Sequence, residues 1–435
     1  MVQRNVLILS PHFPPSTVAG VHRARHLAKH LPAAGWTPIV LCVDERYHTE
    51  RLDPDLARLV PEATEIVKVG VIGAGLSRRL GVGDISLRGY LRLRQALLSL
   101  LRTRQIDVVL ITGSPYYTML MTRAVRRMSN VPVVLDFQDP WVSNWGATLP
   151  AVSKGGLAHR LSVLLEPFAV RHANYITSVS DVQNQEMASR YAGLNPANMA
   201  AIPIGSDPDD YTALGRRGGE AADATDDDGA QIVLSFVGTV MPRTAPVLRA
   251  LFAGLRKVRI DMPELAAKFR LRFVGTSNQP ADVQDGRVLF LARELGVGDL
   301  VSEHPARVPY LQALSTLQHS SAILLLGSDE PHYTASKIYP ALMSGRPFIS
   351  VFRKESSAHA ILSGCGGGLS YAFSDAAELN ALPPQIADGL VKFAENPTAV
   401  GTPDPQAYAP YEARSIARRF ADIFDTLVGG KAGVG

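Results

Sequence analysis

Short apolar runs bounded by turn residues alternate along this chain with stretches in which apolar residues recur every three or four positions. That alternation is how buried parallel strands and intervening helices present themselves in sequence. Residues 5–10 are the first such run. A proline-rich loop follows, then a helical pattern over residues 21–31 with Leu27, Ala28 and Leu31 on one face. Further strands are predicted at 37–43, 108–112, 131–137 and 175–179, so residues 1–205 form one α/β unit. The pattern breaks at 206–230, where Ser206-Asp207-Pro208-Asp209-Asp210 precedes Gly218-Gly219 and the acidic run Asp226-Asp227-Asp228, and this reads as an interdomain connection. Alternation resumes with strands predicted at 232–238, 271–275, 322–326 and 347–351, giving a second α/β unit over 231–405. Within the last segment, 406–435, Ile416, Ala417, Phe420, Ile423, Phe424 and Leu427 recur at helical spacing, which predicts an amphipathic helix able to dock on either unit. Two doubly wound parallel-sheet domains would bind ligands beyond the carboxyl ends of their strands, in a cleft between the domains.

Composition narrows this picture modestly. At 435 residues the chain is long enough for two or three domains, and 46% hydrophobic with 19% charged residues marks an ordered globular protein. The balance of 44 Lys and Arg against 40 Asp and Glu gives +4, which favours anionic partners without calling for nucleic acid. Cys42 and Cys365 are too few and too far apart for a disulfide framework or a cysteine metal cluster, which fits a reducing cytoplasm. The apolar run at 6–9 is shorter than a signal peptide needs, and no stretch approaches the ~20 residues of a membrane span. The expectation is a soluble chain that touches membrane only at the surface.

The specific signals are motifs in order. Ser10-Pro11-His12-Phe13-Pro14-Pro15, followed by Ala19-Gly20-Val21 and a helix, resembles the opening of glycosyltransferase family 4 and related sugar transferases. Asp136-Phe137-Gln138-Asp139-Pro140-Trp141 is similar to a strand-end motif of that group, and Phe236-Val237-Gly238-Thr239 to the start of its second domain. The fullest match is Ser336-Lys337-Ile338-Tyr339-Pro340-Ala341-Leu342-Met343-Ser344-Gly345-Arg346-Pro347-Phe348-Ile349. The resemblance implies the two-domain glycosyltransferase-B architecture, a nucleotide-sugar donor as co-substrate with no other cofactor, a glycan, lipid-linked or small-molecule acceptor, and retention of anomeric configuration.

Physical reading of these motifs gives a set of candidate contacts. Ala19 and Gly20 allow backbone amides to approach a ligand at a helix start. Thr334, Ser336 and Lys337 bring hydroxyls, amides and an ammonium to a second helix start suited to a diphosphate, with Tyr339 two residues further on. Gly345 reads as a helix C-cap. Gly238 and Arg243 belong to the first loop of the second domain, where Arg243 is placed to neutralise the leaving phosphate and Thr239 occupies the family's usual arginine position. By resemblance, Gly275, Thr276 and Arg307 neighbour the base and ribose. The family commonly has two glutamates near the lysine; here His332 and Pro340 hold those positions, and Glu330 is the candidate to replace the first. In the first domain, His12 and Asp139 are candidates to orient or deprotonate the acceptor. The leaving phosphate itself can take the acceptor proton, so no protein nucleophile is required.

Other segments have plainer roles beside the chemical ones they suggest. Gly70-Val71-Ile72-Gly73-Ala74-Gly75 lacks the spacing of a dinucleotide-binding turn. Asp207-Pro208-Asp209 has the form of a metal-binding Asp-x-Asp, but a turn accounts for it, and no metal is predicted. The segment 87–104 mixes leucines and arginines; it suits either an anionic membrane surface or a helix packed on the sheet with its arginines solvated. Two other function classes share the architecture: a nucleotide-sugar epimerase and a non-catalytic binding module.

Overall fold

The computed structural model describes residues 4–73, 75, 83–215, 231–277, 286–328 and 336–429. The chain divides into two compact units, one comprising Met1–Ile204 with Ala413–Gly435 and the other Gly205–Glu412.

The first unit is built on a seven-stranded parallel sheet: β1 (Arg4–Leu9), β2 (Trp36–Val43), β3 (Glu65–Val69), β4 (Val108–Gly113), β5 (Val133–Phe137), β6 (Tyr175–Ser178) and β7 (Met199–Ala201). Their spatial order is β3-β2-β1-β4-β5-β6-β7. Strand β1 shows why the apolar runs are continuous. Val6 and Ile8 point to one face, against the helix Val21–His30, while Leu7 and Leu9 point to the other, so both faces are buried. The second of these faces is covered by the helix Ile85–Thr103 through Leu93, Leu97 and Leu100. Its arginines Arg92, Arg94 and Arg102 lie on the exposed side, which is the sheet-packed arrangement for this segment.

The C-terminal helix Ala413–Gly429 docks on the first unit. Ile416, Phe420 and Phe424 are buried beside the helix Val21–His30, and the Phe424 ring meets Trp36 edge-on at 5.2 Å. Trp36 donates its indole N–H to Asp425 at 3.1 Å. This unit therefore takes both the first and the last of the described elements.

The second unit carries β8 (Ile232–Val237), β9 (Phe269–Val274), β10 (Val301–His304), β11 (Ala322–Leu326), β12 (Phe348–Arg353) and β13 (Gly368–Phe373), all parallel, in the order β10-β9-β8-β11-β12-β13. Its core joins the sheet to the helices Ala245–Asp261 and Pro383–Glu395. In the stretch expected to be a connection, residues 208–215 form a helix, Pro208–Gly215. The Asp207 carboxylate accepts the Asp209 amide at 3.1 Å at its start, so the Asp-x-Asp pattern opens a helix.

Both sheets share the strand order 3-2-1-4-5-6, with β7 added in the first. The order reverses between β1 and β4 and between β8 and β11, and those crevices are where such sheets bind ligands.

Candidate active site

At the reversal point of the second unit, β8 is followed by Gly238, whose φ of 125° lies in the region that glycine alone adopts without strain. A Cβ there would lie 2.8 Å from Lys337 Nζ and 2.9 Å from its Cδ. Glycine thus opens the path that the lysine occupies. Lys337 precedes the helix Ile338–Met343, donates from Nζ to the Thr239 carbonyl at 2.6 Å and lies 4.9 Å from the centre of the Phe236 ring. Burial, with the charge of Arg307 adding to it, pushes the Lys337 amine down to about 8 from its ordinary 10.5. At neutral pH it remains mostly an ammonium, poorly solvated and ready for an anion.

The neighbouring strand end is fixed by backbone. Gly238 N–H donates to Val274 at 2.8 Å, Val240 N–H to Thr276 at 2.9 Å, and Gly275 N–H to His304 at 2.8 Å. Gly275 has a φ of 71°. The Thr276 hydroxyl donates to Glu303 at 2.5 Å, and the other oxygen of Glu303 accepts the Leu289 amide at 2.9 Å. Thr276 therefore helps hold its own loop.

The remaining second-unit candidates divide. Arg243 and Arg307 are exposed at strand-end loops, and Ser336 is half-buried beside Lys337. Tyr339 is turned inward, 1% exposed, with its ring 5.5 Å from Tyr411. Pro340, at the position where family members carry a glutamate, accepts the Tyr211 hydroxyl on its carbonyl at 2.6 Å. Glu330, His332 and Thr334 lie outside the described residues.

In the first unit, Gly20 caps the helix Val21–His30 without a side-chain cap, beside the end of β4. A Cβ on Gly20 would meet the Ser114 carbonyl at 3.2 Å and Gln138 Oε1 at 3.5 Å, and Gln138 Nε2 donates to the Gly20 carbonyl at 3.3 Å. Ala19 is exposed on the same loop. Asp139, after β5, is exposed by surface area, yet desolvation by the protein crowding its carboxyl pushes it up to about 6.

Polar residues not anticipated from sequence hold this edge together. Arg23 is fully buried and donates from Nε to Asp136 at 3.1 Å, and from its two terminal nitrogens to the carbonyls of Pro203 at 2.9 Å and Ile202 at 2.6 Å. Thr177 donates to the other Asp136 oxygen at 2.8 Å. Burial raises the Asp136 carboxyl, against the opposing pull of Arg23 and Thr177. Within the Asp136–Trp141 motif, Asp136 is thus a structural anchor. His12 is drawn toward Glu50, its Nδ1 lying 3.0 Å from Glu50 Oε1 and 3.2 Å from His48 Nδ1; the Ser16 hydroxyl also bonds Glu50. Burial disfavours a charge on Glu50, but hydrogen bonds from His12, His48 and Ser16 outweigh it and hold the carboxyl well below the usual range. The signals for His48 and Glu50 were present only as polar residues in a loop after β2.

Residues 19–205 match the family model described as a glycosyl transferase 4-like domain. No curated protein matches the sequence. Among solved structures, the chain is similar to a glycosyltransferase from Rickettsia africae, with 13% identity over 98% of this chain and 99% of the other and a TM-score of 0.57. It is similar to HepE of Anabaena, solved in complex with UDP and glucose, with 15% identity over 97% and 100% and a TM-score of 0.58. A third is the UDP-forming α,α-trehalose-phosphate synthase of Burkholderia xenovorans, solved with glucose-6-phosphate, with 10% identity over 97% and 99% and a TM-score of 0.60. At these identities the likeness is one of fold. Two sheets of one Rossmann strand order and the coverage of these relatives give the chain the glycosyltransferase-B fold, and its residues 19–205 match the model of a glycosyl transferase 4-like domain.

Proposed function

We propose that this chain transfers a sugar from a nucleotide-sugar donor to a hydroxyl of a glycan, lipid-linked or small-molecule acceptor, with retention of anomeric configuration and no further cofactor. The observation that carries this reading is Lys337, whose poorly solvated ammonium crosses Gly238 at the strand-order reversal of the second unit. An ammonium held there favours a diphosphate, and more so as negative charge grows on the leaving group. In the transfer the bond between the anomeric carbon and the phosphate oxygen breaks, the acceptor oxygen bonds to that carbon, and the acceptor proton passes to the departing diphosphate. Asp139 is the first-unit group available to orient the acceptor hydroxyl. Arg243 and Arg307 add positive charge on neighbouring loops of the second unit.

Two of the structural relatives are named with uridine nucleotides, so UDP-sugars are the first donors to test. Among the described residues no helix is long and apolar enough to cross a membrane. Use of a nucleotide-sugar donor is what supports a cytoplasmic site of reaction. The test is release of nucleoside diphosphate from a panel of nucleotide sugars, with and without mixed glycan and lipid-linked acceptors. Release that requires acceptor and falls at least tenfold in Lys337→Ala is expected. Acceptor-independent release would indicate the epimerase class, and no release with any donor would contradict catalysis.

A further inference from the structure

Outside the donor site, three metal-ligating atoms from two loops of the first unit converge on one point. His12 lies in the loop after β1, and His48 and Glu50 in the loop after β2. Their separations are 3.2 Å between the two Nδ1 atoms, 3.0 Å from His12 Nδ1 to Glu50 Oε1 and 2.9 Å from His48 Nδ1 to the same oxygen. Ligands at about 2.0–2.1 Å from a zinc-like ion, spread at angles between 90° and tetrahedral, are separated from one another by roughly 2.9–3.4 Å. The three observed separations fall in that range.

The second partners of these groups fix how they face the cluster. His48 Nε2 faces the Val43 carbonyl at 3.3 Å, which turns its Nδ1 toward Glu50 and His12. Glu50 Oε2 accepts the Thr49 amide at 3.1 Å, and Oε1 faces both imidazoles and accepts the Ser16 hydroxyl. A divalent cation would take the place of the protons that now join the imidazoles to Glu50, because metal ligands bind in their deprotonated form.

The loops are also joined independently of this cluster. Asp53 N–H donates to the Pro15 carbonyl at 2.7 Å, Thr17 Oγ1 to the Arg51 carbonyl at 2.8 Å, and Ser16 forms a bridge with Leu52. The ligand frame is therefore preorganised. His48 is buried, while the side chains of His12 and Glu50 are 16% and 20% exposed, so a water or hydroxyl can reach the remaining position.

We propose that His12 Nδ1, His48 Nδ1 and Glu50 Oε1 form a binding site for one divalent transition-metal cation of the zinc class, with a fourth position open to solvent or an acceptor hydroxyl. This changes the expectation that the chain binds no metal. The three ligand residues all belong to the first unit.

The test uses the full chain, stripped with chelator and titrated with Zn²⁺ and then Co²⁺, and needs no sugar donor or acceptor. One equivalent of zinc per chain, a raised Tm and a visible cobalt spectrum are expected. Glu50→Gln and His48→Gln should each weaken zinc binding at least tenfold and alter the cobalt spectrum, whereas the exposed His319→Gln leaves both unchanged. Far-UV circular dichroism checks folding, and His12→Gln serves if His48→Gln does not fold. Failure of the stripped wild type to take up zinc stoichiometrically would overturn the proposal and leave the cluster held by a proton. Wild-type affinity retained in the folded ligand variants would equally overturn it.

Discussion

The two strand-order reversals share a topology and differ in what the chain has placed there. In the first unit the strand ends carry polar groups already satisfied by one another: Arg23 with Asp136, Thr177 and two carbonyls, and Glu50 with two histidines and a serine. In the second unit the strand ends are two glycines with positive φ, and one lysine, pushed down in pKa, runs past the first of them. The same fold thus supports a self-contained polar network in one half and, in the other, a glycine backbone crossed by a poorly solvated ammonium. An anion finds more to gain at the second edge, because its ammonium has given up solvation that a phosphate can restore.

The largest expected effect concerns the first network. Asp136→Ala leaves the Arg23 guanidinium buried without its carboxylate and should cost about 3–5 kcal/mol of stability, read by urea unfolding. Lys337→Ala removes a charge-assisted contact worth about 1.5–3 kcal/mol, so nucleoside diphosphate affinity should fall roughly 10- to 100-fold in calorimetric titration. Gly238→Ala places a methyl against the lysine and forces a positive φ, an expected loss of about 1–3 kcal/mol in thermal unfolding, together with weakened nucleotide binding. Smallest is Arg249→Ala. Its bidentate pair with Glu294 at 2.9 and 3.0 Å is half-exposed, and the change should cost no more than about 1 kcal/mol. An Asp136→Ala cost as small as that of Arg249→Ala would erase the contrast between the two networks.

Lys337 also predicts opposite pH trends. Its folded pKa lies near 8 and its unfolded one near 10.5, so between those values the unfolded chain binds the extra proton. The ligand-free protein therefore gains stability from this group as pH rises through that window, while nucleotide affinity falls once pH exceeds about 8. Both slopes should vanish in Lys337→Met, compared by unfolding and by titration over the same pH series.

How much of this was legible in the sequence depended on the range of the interaction. Strands such as 5–10 and 322–326 were readable because both faces are buried and the apolar run is unbroken. Strand β3, Glu-Ile-Val-Lys-Val at a sheet edge, and β10, Val-Ser-Glu-His, carry polar residues in short runs and gave no such signal. Gly238 and Lys337 were legible as motif residues, but their contact spans 99 positions and only the fold brings them together. The pairing of Arg23 with Asp136 was invisible for the same reason, since a helix arginine looks solvated until a strand 113 residues away buries it. The amphipathic face of the C-terminal helix was plain, whereas its partner was not: Trp36 and Phe424 carry no mark of one another. Pro340 was readable as a departure from the family, and the structure gives its carbonyl to Tyr211.

The most direct measurement is thermal stabilisation of the wild type and of Lys337→Ala by a panel of nucleoside diphosphates and their sugars. A base-selective rise in Tm that is lost in the variant is the predicted result; equal rises in both proteins would contradict the assignment of Lys337 to the donor site.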